Sequence, residues 1–267
     1  MNRIIFCDID GTLIDGFRGM MDASDRTMYA LRELQKTFYV IFTSGRAKCM
    51  LPGRLASFAA DGYILSSGAY IECGGKVLRD HAFTKGQIEK IRDYSHRTDG
   101  HYILVNQHAL YSDTPEDRMV CELLRNLGIS RKLLHEDTHE ESVNFMIEIC
   151  RDETRCGAFS KAFDYQFSIK RQYTYTAYDV NRLGDNKGDA VSMLMKFLKI
   201  PEKESYCFGD SDNDLEMMAM VQHSVSMGNA GAHIRKSAER VTEDVLQDGF
   251  YHELVRQHLI KPEEGIQ

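Results

Sequence analysis

Short, near-continuous apolar runs recur along this chain, and each stops at a cluster of small polar or acidic residues. Ile4-Ile5-Phe6-Cys7 ends at Asp8, and Phe38-Tyr39-Val40-Ile41-Phe42 ends at Thr43-Ser44-Gly45-Arg46. Gly62-Tyr63-Ile64-Leu65 ends at Ser66-Ser67-Gly68, and Ser205-Tyr206-Cys207-Phe208 ends at Gly209-Asp210. A strand without polar alternation is buried on both faces, which is the condition of a parallel sheet covered by helices. Helix-spaced apolar residues lie between these runs. Met28, Leu31 and Leu34 follow Ser24 or Asp25 as caps, and Ala190, Leu194, Phe197 and Leu198 precede a stop at Ile200-Pro201. The alternation predicts an α/β fold, a Rossmann-like parallel sheet.

The middle of the chain has a different texture. Val143, Phe145, Ile147 and Ile149 alternate with other residues, which predicts a strand with two unlike faces in an antiparallel sheet. Tyr165 to Tyr178 reads as extended, and Val120, Leu123, Leu124 and Leu127 keep helical spacing behind Pro115. An α+β unit inserted into the α/β core accounts for the change. The predicted division is a core of residues 1–79 and 185–267 with an inserted cap of residues 80–184.

At 267 residues, about 150 per domain, one large or two modest domains are expected, and such a chain buries a core without disulfide staples. A content of 43% apolar and 27% charged residues is that of a globular protein rather than a disordered one. The net charge of −7 offers no broad attraction for nucleic acid or an anionic membrane, so neither is an expected partner. The cysteines number 7, are scattered, and contain no Cys-x-x-Cys pair, which fits buried reduced thiols rather than a zinc site. The apolar run at the start is much shorter than the core of a secretion signal, and no later stretch approaches a membrane span. A cytoplasmic protein is expected.

The chemistry-bearing residues sit where the apolar runs stop. In Asp8-Ile9-Asp10-Gly11-Thr12, extended geometry aims Asp8 and Asp10 to one side, at the strand end where open α/β sheets bind ligands. Adjacent carboxylates repel, so they need a cation or a shared proton; a capped turn is the plainer alternative. Gly209-Asp210-Ser211-Asp212-Asn213-Asp214 repeats the pattern with a higher charge density. A hard divalent ion such as magnesium suits these oxygen ligands. An EF-hand calcium loop is excluded because Leu215-Glu216-Met217-Met218 begins a helix where further ligands should be, leaving a solvated acidic helix start as the plain alternative. Thr43-Ser44-Gly45-Arg46 supplies a hydroxyl and free amides for an anion, or a simple cap. Lys187 opens a helix, where its charge opposes the dipole and suggests an anionic partner. Taken together, these are the parts that aspartyl-phosphate chemistry requires.

With these residues the chain resembles the haloacid dehalogenase superfamily of phosphohydrolases, and within it the Cof-like branch, whose α/β cap lies between the second and third motifs. Asp8-Ile9-Asp10-Gly11-Thr12-Leu13 is similar to the first motif, Ser44-Gly45-Arg46 to the second, Lys187-Gly188 to the third and Gly209–Asp214 to the fourth. Ser67-Gly68-Ala69 resembles the Asn-Gly-Ala before the cap, with Ser67 in place of the amide. Met227-Gly228-Asn229-Ala230, Val241-Thr242 and Asp248-Gly249 resemble the closing segment of the branch.

The resemblance implies a magnesium-dependent phosphatase acting on a small phosphorylated metabolite, a sugar phosphate, nucleotide or cofactor phosphate. Asp8 would be the nucleophile and Asp10 the general acid and base. Asp8, the Asp10 backbone carbonyl and Asp210 would hold Mg2+, with Asp214 orienting that shell. Ser44 and Lys187 would bind phosphate oxygens, with Asn213 supporting the phosphate or Lys187. The alternatives are a phosphotransferase or phosphomutase on the same scaffold, and a non-catalytic ligand-binding member. Within the insert, His101, Tyr102, Tyr173, Tyr175, Tyr178, Arg151 and Arg171 are the side chains able to read a leaving group.

Overall fold

The structure, a computed structural model, describes residues 1–139, 142–172 and 176–263. In chain order it begins with β1 (Arg3–Asp8), α1 (Asp25–Leu34), β2 (Phe38–Thr43), α2 (Gly53–Ser57), β3 (Gly62–Leu65), β4 (Tyr70–Cys73) and β5 (Lys76–Asp80). Next come α3 (Lys85–Thr98), β6 (His101–Val105), β7 (Leu110–Ser112), α4 (Arg118–Asn126), β8 (Leu134–Glu136) and β9 (Phe145–Ile149). Then follow α5 (Glu153–Phe163), β10 (Phe167–Arg171), β11 (Ala177–Arg182), α6 (Lys187–Leu198), β12 (Ser205–Gly209) and α7 (Leu215–Met218). The chain closes with β13 (His223–Ser226), α8 (Ala232–Ser237), β14 (Arg240–Val241) and α9 (Gly249–Arg256).

The chain forms two compact units. One comprises Met1–Gly45, Pro52–Arg79 and Asn186–Gln267, and the other Arg46–Leu51 with Asp80–Asp185. The first holds an 8-stranded sheet of order β14-β13-β12-β1-β2-β3-β4-β5. From β14 to β3 every neighbouring pair is parallel, and β4 turns back antiparallel on β3. This is the α/β fold with a parallel sheet that the apolar runs predict.

β1 lies centrally, and Ile4, Ile5, Phe6 and Cys7 are all fully buried. Burying side chains of the Ile and Phe kind contributes about 1.5–3 kcal/mol each. Ile4, Phe6 and Ile41 pack with Ala190 and Leu194 of α6, Met217 of α7 and Ile234 of α8 on one face. On the other, α1 packs on β2 and α9, and Phe250 of α9 meets Phe208 edge-on at 4.9 Å. Ser24 is the cap of α1, accepting a hydrogen bond from Thr27 N–H. Phe197, read as part of the apolar face of α6, is 46% exposed instead.

The parallel register matters most at the strand ends. Asp8 pairs with Thr43, Thr43 with Ile64, and Cys7 with Phe208. The residues that end β1, β2, β3 and β12 are therefore neighbours although they lie far apart in sequence.

The second unit is a 6-stranded sheet of order β10-β11-β9-β6-β7-β8. Its pairs are antiparallel except β7 with β8. Ile91 and Tyr94 of α3 and Phe159 and Phe163 of α5 cover one face through Tyr102, Leu104 and Met146. Val120, Leu123 and Leu124 of α4, with Ala47 and Met50, pack on the other through Ile103, Val105 and Ile147. β9 is antiparallel as predicted, but it lacks the two unlike faces: all five of its residues are buried, Glu148 included. The reason is that helices lie on both sides of it. α4 starts three residues after Pro115, with Asp117 as its cap.

Candidate active site

Asp8 ends β1 with 4% exposure. Lys187 is the first residue of α6, whose N-cap Asn186 accepts the Asp189 N–H at 2.8 Å. Although a helix start is ordinarily wet, Lys187 is 1% exposed. Its Nζ donates to Asp8 Oδ1 at 2.5 Å and to Asp214 Oδ1 at 2.6 Å. The solvated-lysine alternative is thus removed: this ammonium is a buried counterion with two carboxylate partners.

Asp214 uses its second oxygen locally. Oδ2 accepts the N–H groups of Asp210 at 3.0 Å and Ser211 at 3.1 Å, so this carboxylate shapes the turn after β12 while gripping Lys187. Asp210, in that turn, receives Thr12 Oγ1 at 3.5 Å. Gly11 makes this approach possible. It has φ +90°, and a Cβ there would lie 2.2 Å from Asp210 Oδ2.

Among the described residues, Asp8, Asp210 and Asp214 form a group in which one carboxylate oxygen from each lies within 4.8 Å of the other two. Asp8 Oδ2 is buried without a hydrogen-bond partner. Burial first, then the charge of Asp214, pushes the Asp8 carboxyl up to about 7, against the pull of Lys187. Burial and the charges of Asp8 and Asp214 push Asp210 up to about 9. Burial works against the Lys187 charge, but Asp214 and Asp8 outweigh it and hold the ammonium above its ordinary value. Asp10 adds a smaller repulsion to both Asp8 and Asp210.

One buried ammonium among these acids leaves the group short of positive charge. An orphaned carboxylate oxygen beside raised carboxyls is the electrostatic pattern of a cation site. The residues fit a hard divalent ion.

Ser44 and Asn213, expected at the phosphate, and Asp212 of the acidic run have separate surroundings. Ser44 lies one residue past β2 with 2% exposure; its N–H donates to Ile64 O and its carbonyl accepts Ser67 N–H. Asn213 accepts Ser211 Oγ at 2.7 Å through its amide oxygen. Asp212, counted in the acidic run, is exposed and pairs with His233 rather than joining the group.

Thr12 is the residue that the sequence reading left without a role, although its position inside the first acidic motif was the available signal. Ser66 likewise carries no role in that reading, and Ser67 figures there only as the residue in place of an Asn amide. Both have left-handed backbone, φ +50° and +54°, in the turn that delivers the Ser67 N–H to Ser44. Two consecutive non-glycine residues in that region store strain, which persists where surrounding structure over-determines it.

The insert residues offered as substrate readers are mostly engaged. His101 contacts Thr114 and Asp117 through its two ring nitrogens, and Tyr102 is buried with its hydroxyl on Asp137 at 2.8 Å. Tyr178 lies against Phe159, Arg151 pairs with Asp99 and Arg171 with Glu153. Tyr173 and Tyr175 lie outside the described residues.

A family model for haloacid dehalogenase-like hydrolases matches residues 5–254. An HMP-PP phosphatase of Serratia proteamaculans (strain 568) is 27% identical over 250 residues, covering 86% of this chain and 85% of that protein. A crystal structure of a Geobacillus kaustophilus HTA426 protein superposes with TM-score 0.86 at 24% identity, over 97% of this chain and 100% of the other. The subclass IIB sugar phosphatase BT4131 superposes with TM-score 0.80, also at 24% identity and with the same 97% and 100% coverage. Among the described residues, no helix is long and apolar enough to cross a membrane. The expectation of a phosphatase-type hydrolase agrees with these likenesses, and the chain belongs to the haloacid dehalogenase-like hydrolase family.

Proposed function

We propose that this hydrolase is a magnesium-dependent phosphatase that removes the phosphoryl group from a small phosphorylated metabolite through an aspartyl-phosphate on Asp8. The observation that carries the reading is the buried Asp8, with Oδ1 held by Lys187 and Oδ2 without a partner. A carboxylate oriented on one oxygen and bare on the other is prepared for nucleophilic use.

In the first step an Asp8 oxygen attacks phosphorus, the bond from phosphorus to the leaving oxygen breaks, and Asp10 gives that oxygen its proton. In the second, Asp10 takes a proton from water as the water oxygen attacks phosphorus; Asp8 leaves as carboxylate and phosphate is released. Lys187 and Ser44 hold phosphate oxygens in line, and Asn213 Nδ2 is a further donor. Phosphoryl transfer depends mainly on such positioning and charge stabilisation.

Asp8, the Asp10 carbonyl and Asp210 would hold Mg2+, with Asp214 acting through its bonds to the Asp210 backbone and Lys187. When bound, the ion neutralises charge on the transferring phosphoryl group. The names of two similar proteins, an HMP-PP phosphatase and a sugar phosphatase, support a small phosphorylated substrate. Free thiols throughout suit a reducing, cytoplasmic compartment.

Phosphate release from sugar phosphates, nucleotides and cofactor phosphates, with and without Mg2+, tests the reading. Turnover that needs Mg2+ and disappears in Asp8→Asn supports it. Full activity in Asp8→Asn overturns it, and phosphoryl transfer to an acceptor hydroxyl faster than to water turns the reading into a phosphotransferase.

A further inference from the structure

The turn after Asp8 is closed by its own backbone. Leu13 and Ile14 N–H groups donate to Ile9 O at 2.9 and 3.1 Å, and Gly11 N–H donates to Ile14 O at 2.7 Å. The Gly11 carbonyl is held from elsewhere: it accepts Asn229 Nδ2 at 2.8 Å, across 218 residues of sequence. The other end of the same amide, Asn229 Oδ1, accepts Val245 N–H at 3.0 Å. One partner can only accept and the other only donate, so the amide has a single satisfactory orientation.

Asn229 is itself firmly seated. Two residues before it, Met227 N–H donates to Gly209 O at 3.0 Å, next to Asp210. Gly228 N–H donates to Glu243 O at 3.0 Å, and a Cβ on Gly228 would lie 2.8 Å from Asp244 N, so the segments meet backbone to backbone. The Gly11 peptide is in turn the surface on which Asp210 rests, because a Cβ there would overlap the Asp210 carboxylate. Whatever fixes the Gly11 carbonyl fixes the wall behind Asp210.

We infer that Asn229 is a positioning residue for the acidic centre: its amide holds the Gly11 peptide so that Asp210 keeps its spacing from Asp8. The inference rests on the proposal that these two carboxylates bind a divalent ion. Its competitor is a plain structural staple, and the molecule supplies the control. Arg18 ties nearly the same segments together, donating to both Asp244 oxygens at 2.8 and 2.9 Å, and among the described residues it makes no hydrogen bond to Gly11. A staple effect would appear equally at Arg18 and Asn229; a positioning effect appears only at Asn229.

Mn2+, an octahedral oxygen-seeking substitute for Mg2+, is the probe, read by electron paramagnetic resonance on the full chain without substrate. Asn229→Asp is isosteric and keeps the acceptor for Val245 while losing the donor to Gly11, so it stays informative should Asn229→Ala not fold. Both variants are expected to bind Mn2+ about tenfold more weakly, the scale of outer contacts that orient metal ligands. Their Tm in EDTA should drop no further than that of Arg18→Ala, which keeps wild-type affinity. Wild-type Mn2+ affinity in Asn229→Asp overturns the inference, and so does an equal loss in Arg18→Ala. Absence of Mn2+ binding by the wild-type protein, or binding that survives Asp8→Asn with Asp210→Asn, overturns the metal reading itself and the inference with it.

Discussion

Lys187 Nζ stands 2.5 Å from Asp8 Oδ1, joining the start of α6 to the end of β1 across 179 residues. Both side chains are almost wholly withdrawn from water. A buried charge pair of this kind is weak evidence for stability as a whole, but removing one member leaves the other uncompensated. Lys187→Met should therefore destabilise the protein by about 3–5 kcal/mol. The loss should be larger at pH 8 than at pH 5, where Asp8, its carboxyl raised to about 7, escapes by protonation. Urea unfolding at the two pH values checks this; equal midpoints for mutant and wild type at pH 8 would contradict the buried pairing.

Mg2+ should stabilise the folded chain by competing with protons for the raised carboxyls of Asp8 and Asp210. At a hundredfold excess over Kd the gain is about 2.7 kcal/mol. The shift in Tm should grow from pH 5 to pH 9 and vanish in Asp8→Asn with Asp210→Asn. A thermal melt series with Mg2+ against EDTA measures it.

Gly11→Ala should disturb Asp210 rather than merely stiffen a turn. The residue has φ +90°, and its Cβ would lie 2.2 Å from a carboxylate oxygen. The backbone alone disfavours alanine there by more than about 1 kcal/mol. The added clash should lower kcat in Mg2+ and raise the Mg2+ concentration needed for half activity. A Mg2+ titration of phosphate release decides it, since a purely conformational penalty would leave that half-activity concentration alone.

Glu148, in the second unit, introduces a pH dependence of its own. It is fully buried in β9, hydrogen-bonded to Ser95 Oγ through Oε2, with Oε1 lacking a partner. Burial holds its carboxyl well above the ordinary 4.5. The native state thus keeps a proton that the unfolded chain releases, and stability falls as pH rises above about 4.5 toward the raised native value. Glu148→Gln carries no charge to bury, so Tm between pH 5 and pH 8 should decline less steeply than in wild type. Parallel slopes would show that Glu148 does not titrate in this way.

The parts of the fold legible in sequence are those where a single strand or helix carries its own signal. β1, β2, β3 and β12 announced themselves as apolar runs because a strand covered on both faces has no polar side to spare. α1 was legible from its helical spacing, with Ser24 or Asp25 as the cap, and the structure makes it Ser24. The acidic and hydroxyl residues at the strand ends were visible as motifs, and parallel order alone brings them to one edge.

What sequence periodicity misjudged was burial imposed from outside the element. β9 was read as two-faced, yet α3 and α5 on one side and α4 on the other enclose it, so Glu148 lies inside. Phe197 was read as core and stands exposed, because α6 turns that position away from the sheet.

The sequence by itself determined the α/β class, the strands and the residue types available at their ends, since these follow from local hydrophobicity and backbone preference. Only the tertiary structure decided that Lys187 is a buried counterion, that Asp212 faces outward while Asp214 grips Lys187, and that Asn229 holds the Gly11 carbonyl. Each of these depends on contacts between residues remote in the chain. The electrostatics of a site depend on which groups are excluded from water together, and composition or spacing does not encode that.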